Sequence, residues 1–260
     1  MILQKIFGEF REAFTKSPME RHAPKCGSTL PLLPMLEDLQ TLTSEQWGLY
    51  AFGREPIRDR LSEEEKRTLI RQAQECGRQE AEALLLNTSG LLPTELAEKL
   101  GLKLAYPDMP NGGGNVIFAQ FEEPDKITVF MDTVNKAAAM LAENEDLRML
   151  LGAVAVRELL VAHELFHVVE MQKKDTIFTR NLRIPLWKVG KFQYTSSVGC
   201  LSEIAGMEFA ASLLGMSFSP YVYDVFFIYL YNSAVSSDLY RSICRLAGHE
   251  SIEYYIPSEI

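Results

Sequence analysis

The sequence predicts an α+β fold: a small sheet with a hairpin, packed on one long buried helix, with a second helix following it and a helical N-terminal extension before it. Three observations predict it. Residues 144–172 contain no proline, one glycine (Gly152) and few charges, with Leu147, Leu150, Leu151, Val154, Val161, Leu165, Val168 and Val169 at mixed spacings of three and four, the pattern of a mostly buried helix. Residues 115–121 and 126–131 are rich in β-branched and aromatic residues and flank a short turn at 122–125, the pattern of a hairpin. Ser62-Glu63-Glu64-Glu65 sets a capping residue and three acids at the head of a helix running to about Leu86, where the helix dipole favours negative charge.

Taken in order, residues 1 to about 60 read as irregular: a short helix near the start, then Pro18, Pro24, Pro31 and Pro34, then an aromatic cluster at Trp47, Tyr50 and Phe52. After the 62–86 helix, Asn87-Thr88-Ser89-Gly90 is a run of turn formers. It divides the chain into an N-terminal extension (1–90) of unassigned role and a second domain (91–260). Pro93-Thr94-Glu95-Leu96 opens another helix, 103–106 is a short strand, and 107–114, with three consecutive glycines, is a loop. The hairpin and the long helix follow. Residues 173–199 read as a loop that rims a cleft. Residues 201–214 form the second helix, with Ser202 as its N-cap and Ala205, Gly206 and Ala210 allowing close approach of another helix. Residues 221–231 are too aromatic for an ordinary surface and read as a buried helix covering the long one, or as a partner contact if exposed.

Composition narrows the function. The chain has 260 residues, 47% hydrophobic and 23% charged, which is ordinary for a globular protein. A net charge of −9 gives little support to nucleic-acid binding. Residues 92–102 resemble the first half of a helix-turn-helix, but a strand, Pro107, Pro110 and glycines follow where a recognition helix should be. No apolar run is long enough for a membrane span, and the N-terminus meets Glu9 and Arg11 too soon for a signal sequence. Cys26, Cys76, Cys200 and Cys244 form no C-x-x-C pair and read as reduced thiols of a cytoplasmic protein. His22 and Cys26 have ligand types at i, i+4, but Pro24 spoils the helix between them.

The chemistry is concentrated in His163-Glu164-Leu165-Phe166-His167, an H-E-x-x-H motif inside the long helix. Residues four apart on a helix share a face, so both imidazoles can point a ring nitrogen at one Zn²⁺. Glu164 falls beside them, where it can take the proton of a water that zinc has acidified. The long form of the motif would set Gly and His at the positions held by Glu170 and Lys173. The third ligand is therefore sought on the following helix, with Glu203 favoured and Glu208 the rival.

These residues resemble the ImmA/IrrE-type metallopeptidases, a compact gluzincin group. The stretches that carry the resemblance are 96–102 (a leading helix and its exit into a strand), 115–121 with 126–132 (a hairpin), 162–167 (the active helix), and Glu203 with Phe209-Ala210-Ala211-Ser212-Leu213-Leu214 (the glutamate helix). Together they span roughly residues 91–220. The resemblance implies a zincin-like domain over 91–260, with ligands His163, His167 and Glu203 and Glu164 as catalytic base. It implies a narrow-specificity regulatory protease acting on a cytoplasmic protein, often a transcriptional repressor, with no direct nucleic-acid or membrane partner. The chain departs from the family at Phe166, where Gly is frequent, and at Met207, where an Asn or Asp usually orients a zinc histidine. Glu208 or Glu170 could take that second role, or supply a further ligand. Tyr194, His249 and Arg157 are the candidates for stabilising an oxyanion. One edge of the small sheet could pair with an extended peptide substrate, the alternative being a hairpin that only packs on the active helix. The alternative is a non-catalytic zinc-containing sensor or interaction module on the same scaffold.

Overall fold

The computed structural model describes residues 29–86, 88, 90–109, 117–189 and 192–252. The short helix expected near the start, the His22/Cys26 pair and the consecutive glycines at 112–114 lie outside the described residues.

The architecture is α+β. Among the described residues the order is α1 (Leu32–Gln40), α2 (Ser44–Phe52), a 3-10 turn (Arg58–Arg60), α3 (Glu63–Leu85), α4 (Pro93–Lys99), β1 (Lys103–Ala105), β2 (Ala119–Glu122), β3 (Lys126–Val129), α5 (Met131–Glu143), α6 (Glu145–Leu151), α7 (Val156–Gln172), α8 (Phe178–Asn181), β4 (Ile184–Val189), β5 (Phe192–Ser196), α9 (Cys200–Leu214), α10 (Val222–Tyr229) and α11 (Ser233–Ala247). No described helix is long and apolar enough to cross a membrane.

Several of these elements correct the sequence reading. The prolines that made residues 29–60 look irregular begin a helix instead: Pro31 is the N-cap of α1 and Pro34 lies in its first turn, where a missing N–H costs nothing. The expected helix over 144–172 is two helices. Gly152 has φ +75°, which a residue with a side chain rarely adopts, and it ends α6 before α7 begins at Val156. The 173–199 loop contains α8 and the β4–β5 hairpin. Helices α5 and α11 were not assigned from the sequence. Ser202 lies inside α9, whose N-cap is Gly199.

The three-stranded sheet has the order β1-β3-β2. β1 runs parallel to β3, and β2 pairs antiparallel with β3 in the register Phe121↔Ile127, so β2 is an edge strand. Helix α7 is buried between this sheet, α4 and α9. Its first turn is fixed to α4 by buried Glu158, which accepts from the Thr94 amide at 3.0 Å and the Thr94 hydroxyl at 3.2 Å. Helix α3 crosses α9 so closely that a Cβ on Gly77 would stand 2.1 Å from the Ala205 carbonyl oxygen. Helices α1 to α3, before residue 90, thus share one hydrophobic core with α7, α9, α10 and α11. Helix α10 is buried as expected, but it packs chiefly on α11 and α1 rather than on α7.

Candidate metal centre

Helix α7 carries both histidines of the motif on one face, and α9 brings Glu203 to the same point. Two features let α9 come so close. Gly206 faces the His163 ring, where a Cβ would lie 3.1 Å from Cε1. Glu55, buried in the loop after α2, accepts the Cys200 amide at 3.0 Å and so satisfies an orphan donor of the first turn of α9. This capping contact had no signal in the sequence, because Glu55 lies 145 residues from Cys200.

The side chains of His163, His167 and Glu203 are nearly enclosed, and their ligand atoms all lie within 4.8 Å of one another. The two Nε2 atoms are 3.3 Å apart. His163 Nε2 lies 3.4 Å from Glu203 Oε2, and His167 Nε2 lies 4.0 Å from Glu203 Oε1. Ligand atoms about 2.0–2.1 Å from a tetrahedral ion must stand about 3.3 Å from one another. Both short separations meet that condition, and the group could hold a metal ion. Burial alone would raise the Glu203 carboxyl pKa, but the His163 hydrogen bond and the neighbouring imidazoles outweigh it and hold the group well below the usual carboxylate range. Glu203 is therefore an anion at neutral pH, as a ligand must be.

Glu170 is the most informative neighbour. Its Oε2 lies 3.7 Å from His167 Nδ1 and accepts the Ser202 hydroxyl at 2.9 Å, while Oε1 accepts the Thr179 hydroxyl at 2.5 Å. Arg180 Nε stands 3.6 Å from Oε2. Burial would raise the pKa of Glu170, but the bonds from His167, Thr179 and Ser202 lower it, so it stays charged. Burial pushes the His167 pKa down, but Glu170, Glu203 and Glu164 together bring it above its ordinary value. Ser202 Oγ, 3.4 Å from Nδ1, is the nearer neighbour, and the Glu170 charge beyond it favours a proton on Nδ1, which leaves the Nε2 lone pair facing the Glu203 side. Glu170 thus orients His167. The sequence reading included that role for Glu170, but missed Ser202 and Thr179, whose hydroxyls hold it. His163 has no such partner: its Nδ1 is buried without a hydrogen bond. That matches the apolar Met207 on α9, which stands where an orienting Asn or Asp was expected.

Glu164 is 5% exposed, and its Oε2 accepts the Phe121 amide at 2.7 Å. The carboxylate is thereby aimed at the edge strand β2 rather than at the other histidine-facing acids. Glu208, the rival ligand, lies outside the group; it is half-buried, with Arg78 and Glu75 as its charged neighbours, and burial raises its pKa. Tyr194 is 55% exposed on β5 and stacks on Trp187, and His249 Nε2 is engaged 2.9 Å from Asp38 Oδ1. Arg157 pairs with Glu158 at 3.1 Å. The contacts that hold these three are with other groups than the metal-ligand set. Comparisons with protein-family models, curated proteins and solved structures each found no match.

Proposed function

We propose that this chain is a zinc-dependent peptidase of the ImmA/IrrE-like, zincin type, cutting a peptide bond in a cytoplasmic protein partner such as a transcriptional regulator. The observation that carries the reading is the convergence of His163, His167 and Glu203, two of whose separations fit a tetrahedral ion, with Glu164 on the flank beside an edge strand. His163, His167 and Glu203 would hold Zn²⁺. When bound there, the ion supplies Lewis acidity, which activates a water and polarises a carbonyl. Glu164 takes the proton of the attacking water and delivers it to the leaving amine. Glu170 keeps His167 in its ligating tautomer. Among the described residues β2 is the edge of its sheet; the backbone groups there other than the Phe121 amide could pair with an extended peptide, and that amide keeps Glu164 next to the edge. Cys76 and Cys200, both free thiols, agree with a cytoplasmic setting.

The second reading is a zinc-containing sensor without turnover. It draws on the same 2.7 Å Phe121–Glu164 bond, which occupies one carboxylate oxygen of the base. One experiment separates the two. The wild-type protein and Glu164→Gln are each incubated with candidate partner proteins, and mass spectrometry searches for one discrete cut. The expected outcome is a cut by the wild type that chelator stops and zinc restores, with a loss of about 10²–10⁴ in the variant. A variant as fast as the wild type sinks the mechanism. Partner binding by both proteins with no cut by either establishes the sensor.

A further inference from the structure

The β4–β5 hairpin is an arm whose strands pair with each other, Trp187↔Tyr194 and Val189↔Phe192, and among the described residues with no third strand. Side chains two apart on a strand share a face, so Trp187, Phe192 and Tyr194 fall on one side. That side is open: Trp187 is 53% exposed and Phe192 77%, and the Trp187 and Tyr194 rings stack at 5.7 Å. Such exposure of three large aromatics is abnormal for a surface that binds nothing.

Charge marks the same segment. Residues 173–199 carry six Lys or Arg and one acid, a local charge of +5, which leaves −14 on the rest of a chain whose total is −9. Lys174 and Arg183 are exposed and have no carboxylate partner among the described residues; Arg183 donates only to the carbonyls of Arg180 and Leu182.

The arm also stands beside the metal ligands. Its incoming strand follows Thr179, which bonds Glu170, and its outgoing strand leads to Ser202, which bonds the same carboxylate. Leu182, where the arm begins, is three residues from Thr179 and so at most about 11 Å away. Arg180 reaches Glu123 in the turn that leads out of β2, at 3.3 Å. The base of the arm therefore lies next to the carboxylate that faces His167 and to the turn after the edge strand.

We infer that the arm is the docking site for an acidic, apolar-containing extended segment of the protein substrate, outside the bond that is cut; the inference rests on the peptidase reading. Basic groups meet its carboxylates, the aromatic face covers its apolar side chains, and either free strand edge can pair with its backbone. A peptide is favoured over an anionic bilayer or a nucleic acid because it meets the arm alone. A flat or long polyanion also meets the −14 charge of the remainder within a Debye length or so.

The test uses the full chain with zinc and its Glu164→Gln variant. Fluorescence anisotropy reads binding of a labelled peptide alternating Glu and Leu, its Lys/Leu counterpart and a single-stranded DNA oligonucleotide; sedimentation reads binding to phosphatidylserine vesicles. Two double variants, Trp187→Ser with Phe192→Ser and Lys174→Glu with Arg183→Glu, change exposed side chains, and an unchanged Tm checks that each folds. The Glu/Leu peptide should bind both parent proteins, and each double variant should weaken it about tenfold. The Lys/Leu peptide should not bind. Equal binding by the variants, or binding of vesicles or DNA but not of the Glu/Leu peptide, overturns the inference. With a cut substrate in hand, the arm variants should raise KM and leave kcat unchanged; an unchanged KM overturns the arm and leaves the peptidase standing. If Glu164→Gln cuts as fast as the wild type, the proposed mechanism fails, while the arm is still decided by the peptide.

Discussion

Glu170 is buried, charged and saturated with donors, which makes it a poor ligand and a good orienting group. At the residue scale this predicts a graded series of zinc affinities, measured by competition with a chromophoric chelator. His163→Ala and His167→Ala abolish tight binding, Glu203→Ala weakens it strongly, and Glu208→Ala leaves it unchanged. If Glu208→Ala proves the damaging one, Glu203 is not the third ligand. Ser202→Ala and Glu170→Gln should each cost about 10–100-fold, since removal of a group that orients a ligand histidine costs that much. The histidines were legible in the sequence because i, i+4 spacing puts both on one face whatever surrounds them. Glu203 was legible as one of two candidates. Ser202 read as a cap because a serine before an apolar run resembles one. Its real task, holding Glu170, depends on how α9 lies across α7, which no local pattern encodes.

At the scale of elements, the site depends on three close approaches to α9: Glu55 at its start, Gly77 of α3 against Ala205, and its own Gly206 against His163. Gly77→Ala would drive a methyl group into the Ala205 carbonyl, two residues from Glu203, and backbone cannot move aside as a flexible side chain can. The expected cost is about 1–3 kcal/mol or more, with a weaker zinc site, read from urea unfolding and the same chelator competition. Full stability in Gly77→Ala would show that α3 does not fix the position of α9. The helices α3, α4 and α9 and the strands β1 and β3 followed from caps, periodicity and β-rich runs. The break at Gly152 was not evident, because apolar residues continue at helical spacing through it, while the positive φ of that residue and the extended Ala155 separate α6 from α7. Residues 173–199 looked like a loop because an arm that packs mainly on itself lacks a clean alternation of apolar and polar residues.

At the scale of the whole molecule, the same crowding that brings Glu203 to the histidines traps a second carboxylate behind it. Asp224 is 2% exposed on α10, its Oδ2 has no hydrogen-bond partner, and the hydroxyls of Tyr50 and Tyr221 and Nη1 of Arg54 are likewise buried without one. Burial pushes the Asp224 carboxyl up from its ordinary 3.8 to about 7; Arg54 opposes the shift and the Glu203 charge adds to it. The folded state therefore holds this proton more tightly than the unfolded chain does. The resulting stabilisation is fully present below about pH 4 and is lost as pH rises to about 7, with no further change above that from this group. Between pH 5.5 and 8 the loss is on the order of 2 kcal/mol. Asp224→Asn keeps a neutral side chain of the same shape at every pH. In urea unfolding of the zinc-loaded protein, the wild type should lose that stability relative to the variant as pH climbs from 5.5 to 8, most of it by pH 7. Parallel pH profiles for the two proteins would mean that Asp224 is ionised in the fold and that Arg54 neutralises it fully.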